Sequence, residues 1–528
     1  MAKSVLERGE GTRRMAHFLP LGRDALPDAP AQAQLEGRAE NHGGVAAALP
    51  PQGEKRPICV DLDGTLVNTD TLVEGLIAVL SGGRGLSELA GLLTLNRAAL
   101  KLRVAELAGC AADLLPYNAT VLAYLREKRE EGHRLVLATA ADTRVAKSVA
   151  SHLGLFDEVI CSDGTRNLKG PAKAAALVER FGDKGFDYVG NDRSDLPVWR
   201  AAAGIVTVNA PRDVVREARS FGSPITTLDT PAPLIPALLR ALRPHQWSKN
   251  LLVFVPMITA HALTEASAWI GAITLFFSLS ATASALYVVN DTFDVFSDRQ
   301  HPRKRFRPVA SGALPITSAL AAAMALLVIG AGLAWAAGGI AVVCAYAALS
   351  LAYSLWLKRY PLVDVFMLAA LYTVRILGGG IVTGHRASVW LLAFSGFTFL
   401  SLALVKRVGE MLAVERTADK RVNARRGYRP CDSLLLQMFG CASAFASSIV
   451  LALFVSSTAA LQNYRSPEIL MLLVPIILFW QCRLWLATVR GNMHDDPIVY
   501  AVSDWVSWPV GIAILGVMFA AEAELPFL

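Results

Sequence analysis

The segment Tyr287–Pro308, YVVNDTFDVFSDRQHPRKRFRP, ends an apolar run with three aspartates and follows them at once with a basic cluster. Asp291, Asp294 and Asp298 stand at i, i+3 and i+7. On one continuous helix, turning about 100° per residue, their carboxylates would fall within about 60° of one another, with Asn290 on the edge of that face. Hard oxygen donors at this spacing suit Mg²⁺, which usually takes one or two carboxylates and completes its shell with water and substrate phosphate. Lys304, Arg305 and Arg307 are then placed to hold phosphates directly. The plain structural alternative is an acidic helix end before an ordinary positively charged loop.

A second constellation opens with PICVDLDGTLVNTD, a short apolar run of strand character that delivers Asp61 and Asp63 just before Gly64. Alternating strand and helix patterns follow, with strands expected at 134–139, 158–161, 186–190 and 204–208. That is the pattern of an α/β sheet, which binds its ligands at the strands' carboxyl ends. Two of these strands end in polar residues: Thr139 in HRLVLATAAD, and Asp192 and Asp195 in FDYVGNDRSDLPVW.

The elements that must position these residues divide the chain. With 528 residues, 53% hydrophobic and 18% charged, the protein is too apolar for an ordinary soluble enzyme and long enough for at least two domains. Charge is dense up to about residue 245. From Leu251 onward, apolar runs of about 20 residues alternate with short polar loops. About nine spans are expected, at roughly 250–266, 269–290, 315–335, 338–357, 362–383, 388–406, 433–456, 468–489 and 503–521. Residues 1–54, rich in Ala, Gly, Pro and charge, are expected to be disordered. An α/β domain is expected over 55–222, a proline-rich linker or interfacial segment over 223–244, and an all-α polytopic membrane bundle over 245–528.

Alternate loops carry nearly all the cations: Lys304, Arg305, Arg307, Lys358, Arg359, Lys406, Arg407, Lys420, Arg421, Arg425, Arg426 and Arg490, against Arg386 and Arg465 on the other side. The positive-inside rule makes this an integral protein of the cytoplasmic membrane, with the α/β domain and the acidic segment cytosolic. An odd number of spans sends the C-terminus across. The net charge of +7 then reflects membrane topology, and no nucleic-acid partner is needed to explain it. Seven cysteines show no metal-binding spacing and read as incidental thiols.

The motifs DLDGT, Thr139, a lysine and GNDRSD resemble those of the haloacid dehalogenase-like (HAD) phosphohydrolases over roughly 150 residues. The resemblance implies that Asp61 is the nucleophile and Asp63 the acid/base. Asp192, with Asp61, the carbonyl of Asp63 and the paired Asp195, would hold Mg²⁺, while Thr139 and a lysine bind the phosphoryl group. Both Lys169 and Lys173 in NLKGPAKAAAL qualify, and Lys173 is favoured because it would start a helix. The insert at about 70–115 reads as a small helical cap. A fold that has lost activity and serves as a regulator or scaffold is the alternative.

The membrane half resembles the UbiA-type intramembrane prenyltransferases through NDxxDxxxD, here Asn290, Asp291, Asp294 and Asp298. It is more similar to polyprenyl-phosphate phosphoribosyltransferases through RPHQWSKNLLVFVP, NDTFDVFSDRQHPRKRFRPVASG, AYSLWLKRYPLVDVFMLAALYTVRILGGG and GNMHDDPIVYAVSD. It departs from the broad family where a second DxxxD motif would stand: Lys406, Arg407 and Glu410 occupy that place. The resemblance therefore implies one Mg²⁺ site in each half, with phosphoribosyl pyrophosphate as donor and a polyprenyl phosphate as acceptor. Lys304, Arg305, Arg307, Tyr353 and Lys358 would bind phosphates. Lys249, beside Trp247 and Arg243, reads as an interfacial anchor or a substrate ligand. Arg375, inside a span, is a site residue by default, with Asp364 too far along the helix for direct contact. Asp495 and Asp496 could belong to a solvated loop. The alternatives are a prenyltransferase acting from a prenyl diphosphate on an aromatic or other acceptor, and a transporter or scaffold with a regulatory domain.

Overall fold

The computed structural model describes residues 55–81, 91, 95–229, 233–417, 427–493 and 496–523. The segment 1–54, Asp495, and the loop cations Lys420, Arg421, Arg425 and Arg426 lie outside the described residues. Six parallel strands form one sheet in the order β3-β2-β1-β4-β5-β6. They are β1 (Ile58–Val60), β2 (Leu135–Asp142), β3 (Glu158–Ser162), β4 (Asp187–Gly190), β5 (Gly204–Val208) and β6 (Ile225–Asp229). Because successive side chains point to opposite faces, Ile58 and Val60 enter one core with Leu135 and Leu137. Cys59 enters the other with Val136 and Tyr188. Helices cover both faces, which explains why these strands read as continuous apolar runs.

β2 runs on to Asp142, with its regular pairing to β3 interrupted after Ala138, so Thr139 stands at the end of the regular ladder. One expectation changes here. Residues 225–229, expected in the linker, form β6, which pairs with β5, and Leu234–Leu242 is a helix. β6 is a five-residue edge strand closed in by Pro224 and Pro231, composition that reads as linker although an edge strand tolerates it.

Among the described residues of the second half six helices are long and apolar enough to cross a membrane: Ala266–Phe293, Ile316–Ala336, Val363–Thr383, Val389–Ala413, Asp432–Val455 and Pro467–Val489. A pair bent by 91°, Pro497–Ser503 and Ser507–Glu522, makes seven if counted as one span. These six or seven candidate spans among the described residues leave the expected count of about nine unconfirmed. The stretch 250–266 is no continuous span: Pro244–Phe254 is 3₁₀-helical and Val255–Thr259 is a short α-helix with Pro256 at its start. Ile340–Leu355 has 16 residues, a length of about 24 Å that falls short of a hydrocarbon core of about 30 Å. Helices meet closely where residues are small. A Cβ on Gly330 would stand 2.5 Å from Thr282 Oγ1, and Ser278 Oγ donates to the Gly330 carbonyl at 2.7 Å.

The two halves are joined through the insert. Glu74, in helix Thr71–Ser81, receives both terminal nitrogens of Arg299 at 2.6 and 2.9 Å, with side chains only 4% and 7% exposed. Ile77 of the same helix packs into one core with Ala237, Ala285, Val288 and Ile316. At Gly312 the backbone takes φ +76°, and a Cβ would lie 2.6 Å from the Asn68 carbonyl oxygen, so only glycine lets the two chains approach there.

Candidate active sites

In the α/β half β1 ends directly in Asp61, whose N–H donates to the Val189 carbonyl of β4 at 3.0 Å. The DGT turn closes on itself through Gly64 N–H to Thr69 O (3.1 Å) and Leu66 N–H to Asp61 O (3.3 Å). Gly64 has φ +75°, and a Cβ would meet Asn191 Nδ2 at 2.3 Å. The glycine therefore allows the loop after β1 to pack on the loop after β4, where Thr65 Oγ1 donates to Asn191 Oδ1 at 3.2 Å.

Lys173, in the first turn of helix Pro171–Phe181, is the lysine that the fold brings to the nucleophile position. Its Nζ donates to Asp61 Oδ1 and to the Tyr188 hydroxyl, both at 2.8 Å. Lys169 lines the same cavity. Asp195 is buried and its oxygens accept from Tyr188 OH (3.0 Å), Asn191 N–H (3.0 Å) and Asp192 N–H (3.1 Å). It therefore holds the loop that presents Asp192. Thr139 is fully buried with its hydroxyl accepting from Ala141 N–H at 3.0 Å, and the strand-end residues that line the cavity are Ala140, Ala141 and Asp142.

Burial pushes the Asp61 carboxyl up to about 6, with Lys173 opposing the shift. Burial and the neighbouring Asp70 push Asp63 up to about 7, although Asp63 Oδ1 accepts the Thr71 N–H at 2.8 Å. The pair thus sits where one carboxylate can ionise while its neighbour still holds a proton near neutrality. Sequence reasoning missed Lys101, in the insert helix Arg97–Ala108, whose Nζ donates to Ala140 O at 2.5 Å and Asn167 Oδ1 at 3.0 Å. No motif marks it; only the fold carries it over the cavity, which has a volume of about 970 Å³.

In the membrane half the four residues of NDxxDxxxD do not form one cluster. The helix ends at Phe293, Asp294 takes φ −87° and ψ 4°, and a new helix begins at Val295. The helix is thus interrupted between Asp291 and Asp298. Asn290 Nδ2 donates to Asp294 Oδ2 at 2.9 Å. Arg307 Nη1 instead bridges Asp291 Oδ1 (3.0 Å) and Asp298 Oδ2 (2.6 Å), and Arg243 Nη2 reaches both oxygens of Asp291 at 2.6 Å. Arg243 is thus a partner of the acidic motif, whereas Trp247 donates to Ser284 Oγ at 3.0 Å. Lys304 and Arg305 are exposed, and Arg305 stacks on Phe306.

A second buried polar cluster gathers on Asp496. Asp496 is buried and accepts from Lys249 Nζ (2.7 Å), Lys406 Nζ (3.1 Å) and the Tyr372 hydroxyl (3.0 Å). The solvated-loop alternative for Asp496 is thereby excluded, and Lys249 is a buried partner and not an interfacial anchor. Arg375 Nε donates to Asn250 Oδ1 at 2.8 Å, and its guanidinium lies over the Tyr346 ring at 4.7 Å. Asp364 pairs with Arg407 at 2.5 Å and accepts from Tyr428 OH, while Arg407 also binds Glu410. Arg407, Lys406 and Glu410 are also the charged neighbours of Tyr353. Lys358 lies in the short 3₁₀ turn Leu357–Arg359 beyond that helix, partly exposed. Tyr428, Asn250 and Tyr372 carried no sequence signal, since each acts only through a partner far along the chain.

Among the described residues no three His, Cys, Asp or Glu side chains converge as a metal cage. Mg²⁺ usually needs only one or two protein carboxylates, with water and phosphate completing the shell, so Asp61 with Asp192, and Asp291 with Asp298, are donor sets of suitable chemistry.

A parallel α/β sheet with paired strand-end aspartates, joined to a bundle of apolar helices with buried charges at one end, defines a membrane-bound enzyme with a hydrolase domain. The family models agree: residues 251–502 match the UbiA prenyltransferase family and residues 58–200 match the haloacid dehalogenase-like hydrolases. The chain thus carries a UbiA prenyltransferase-family domain behind a haloacid dehalogenase-like domain. It is 36% identical over 466 residues to the uncharacterized protein y4nM of Sinorhizobium fredii, covering 87% of this chain and 90% of the other. It is 32% identical over 281 residues to the nodulation protein NoeC of Azorhizobium caulinodans, 52% of this chain and 89% of the other. With the decaprenyl-phosphate phosphoribosyltransferase of Corynebacterium glutamicum it shares 37% identity over 206 residues, 38% of this chain and 62% of that one.

Proposed function

We propose that the membrane half transfers 5-phosphoribose from phosphoribosyl pyrophosphate to a polyprenyl phosphate, and that the hydrolase half removes the 5-phosphate from that product. The carrying observation is the basic pair Lys406 and Arg407 where a second acidic motif would bind a prenyl diphosphate through metal. Both are tied to buried carboxylates, Asp496 and Asp364. The similarity to decaprenyl-phosphate phosphoribosyltransferases points the same way.

An acceptor phosphate oxygen, already anionic near pH 7, attacks the anomeric carbon as the bond to pyrophosphate breaks, with inversion. Positioning and charge stabilisation then supply the catalysis, without a strong base. Lys249, Lys406 and Arg375 surround the anion site, and Arg243 and Arg307 can turn from Asp291 to donor phosphate. Mg²⁺ held by Asp291 and Asp298 would neutralise charge developing on the pyrophosphate.

In the hydrolase half Asp61 attacks phosphorus to give an aspartyl-phosphate, Lys173 neutralises the transferred group, and Asp63 protonates the departing oxygen. Asp63 then takes a proton from water, which releases inorganic phosphate. Mg²⁺ at Asp61 and Asp192 would lower the repulsion between carboxylate and phosphate. The distribution of Lys and Arg favours a cytosolic hydrolase in the cytoplasmic membrane.

Membranes incubated with labelled phosphoribosyl pyrophosphate and polyprenyl phosphate are expected to show Mg²⁺-dependent transfer of label into lipid. No transfer, together with prenylation of an aromatic acceptor, would favour the second reading. That reading is supported by the prenyltransferase model matching residues 251–502.

A further inference from the structure

One wall of the hydrolase cavity does not come from the hydrolase. Beside Asp61 and Lys173 the lining includes Gly312 and Thr317, from the turn that enters the membrane helix Ile316–Ala336, and Leu234 from the helix Leu234–Leu242. The turn is seated by the close approach of Gly312 to Asn68 and by the Glu74–Arg299 pair. The helix carrying Leu234 buries Ala237 and Ala241 in one core with Ala285 and Val288 of a membrane helix. It leaves Leu234, Ile235 and Leu239 exposed by 50%, 71% and 52%. In a chain anchored in a bilayer, a helix with such an outward apolar face lies at the boundary of headgroups and acyl chains. Leu234 belongs to that face and to the cavity at once. A cavity of about 970 Å³ is also far larger than a phosphate group requires.

We propose that this cavity is a composite site for phosphate monoesters carried on a membrane lipid. Asp61, Lys173 and their neighbours take the phosphate, while Leu234 and the turn 311–317 receive the apolar carrier where it leaves the bilayer. The proposal rests on the phosphatase reading above and adds that the transferase half selects the hydrolase's substrate. The bond broken is the monoester P–O bond, with the phosphoryl group passing to Asp61 and then to water.

The test uses the full-length protein in lipid nanodiscs, with ribose 5-phosphate as the free ester and polyprenyl-phosphate-linked ribose 5-phosphate as the anchored one. The expected kcat/KM favours the anchored ester by about tenfold or more, the scale of discrimination that apolar contacts supply. Leu234→Asn and Thr317→Trp each lower that ratio several-fold. Both positions start exposed, so the fold should tolerate either change, and thermal melting verifies this. Equal use of both esters by the wild type, or a ratio unmoved by either variant, overturns the composite site. Asp61→Asn separates the two failures. If it abolishes hydrolysis while the ratio stays fixed in both variants, only this inference falls; if hydrolysis survives it, the phosphatase reading fails and this one with it.

Discussion

The two acidic sites are built from the same residue types and treat their carboxylates in opposite ways. In the hydrolase half Asp61 and Asp63 stand at the end of β1 in a large cavity, with one lysine on Asp61 and burial lifting both above the ordinary carboxylate value. In the membrane half Asp291 and Asp298 are buried and already bridged by Arg307, with Arg243 added on Asp291. On the proposed reading, Asp61 as a nucleophile must be reachable and only partly neutralised, whereas a site that gathers phosphates needs cations close by and able to change partner. The difference teaches that an acidic motif acquires its role from the cations that the fold sets against it.

The largest effect expected from breaking this contrast is at Asp61. Asp61→Asn should abolish phosphate release and leave phosphoribosyl transfer intact, so that phosphorylated lipid accumulates, as read by thin-layer chromatography of labelled lipid. Asp63→Asn should slow release by about 10²–10⁴-fold, the usual worth of a general acid–base group. Loss of transfer in either variant would merge the two sites into one.

Next in size is the pair that anchors the basic side of the membrane site. Asp364→Ala leaves the buried Arg407 guanidinium short of its partner, and should destabilise the protein by about 3–5 kcal/mol. Thermal unfolding in detergent checks this, and replacing both residues by apolar ones should recover much of the loss. At the junction Glu74→Gln should leave Arg299 underpaired and expose the hydrolase half to faster proteolysis, while Glu74→Arg with Arg299→Glu restores resistance. Unchanged proteolysis would mean that the ion pair does not hold the halves together.

The smallest effect is a pH dependence. The carboxyls of Asp61 and Asp63 lie at about 6 and about 7 in the folded protein, above the ordinary value of 3.8. In chelator, between that value and about 7, the folded state binds more protons than the unfolded one, so stability falls as pH rises. The expected outcome is a melting temperature lower at pH 8 than at pH 5. Added Mg²⁺ should reverse it and Asp63→Asn should flatten it. A melting temperature that rises over this range would contradict the raised values.

Much of the hydrolase half was legible because its chemistry is local. A strand period of two and a DxDGT turn place Asp61 and Asp63 within three residues, and the start of a helix singles out Lys173. Thr139 and Asp195 were harder to read, since strand length and a loop's hydrogen bonds decide whether a side chain faces a cavity. The membrane half was less legible for the same reason enlarged. Asp496 pairs with Lys249 and Lys406, and Asp364 with Arg407 and Tyr428, residues up to hundreds of positions away, and no periodicity announces such pairs. The helix break at Asp294 likewise followed no glycine or proline.

By itself the sequence determined the division into an apolar and a charged half, the acidic motifs and the basic pair Lys406–Arg407, because composition and short spacing are properties of adjacent residues. Only the tertiary structure decided that Arg307 bridges Asp291 and Asp298, that Asp496 gathers two lysines, and that the membrane half closes the hydrolase cavity. These depend on which distant segments exclude water from one another, and that is settled only when the whole chain packs.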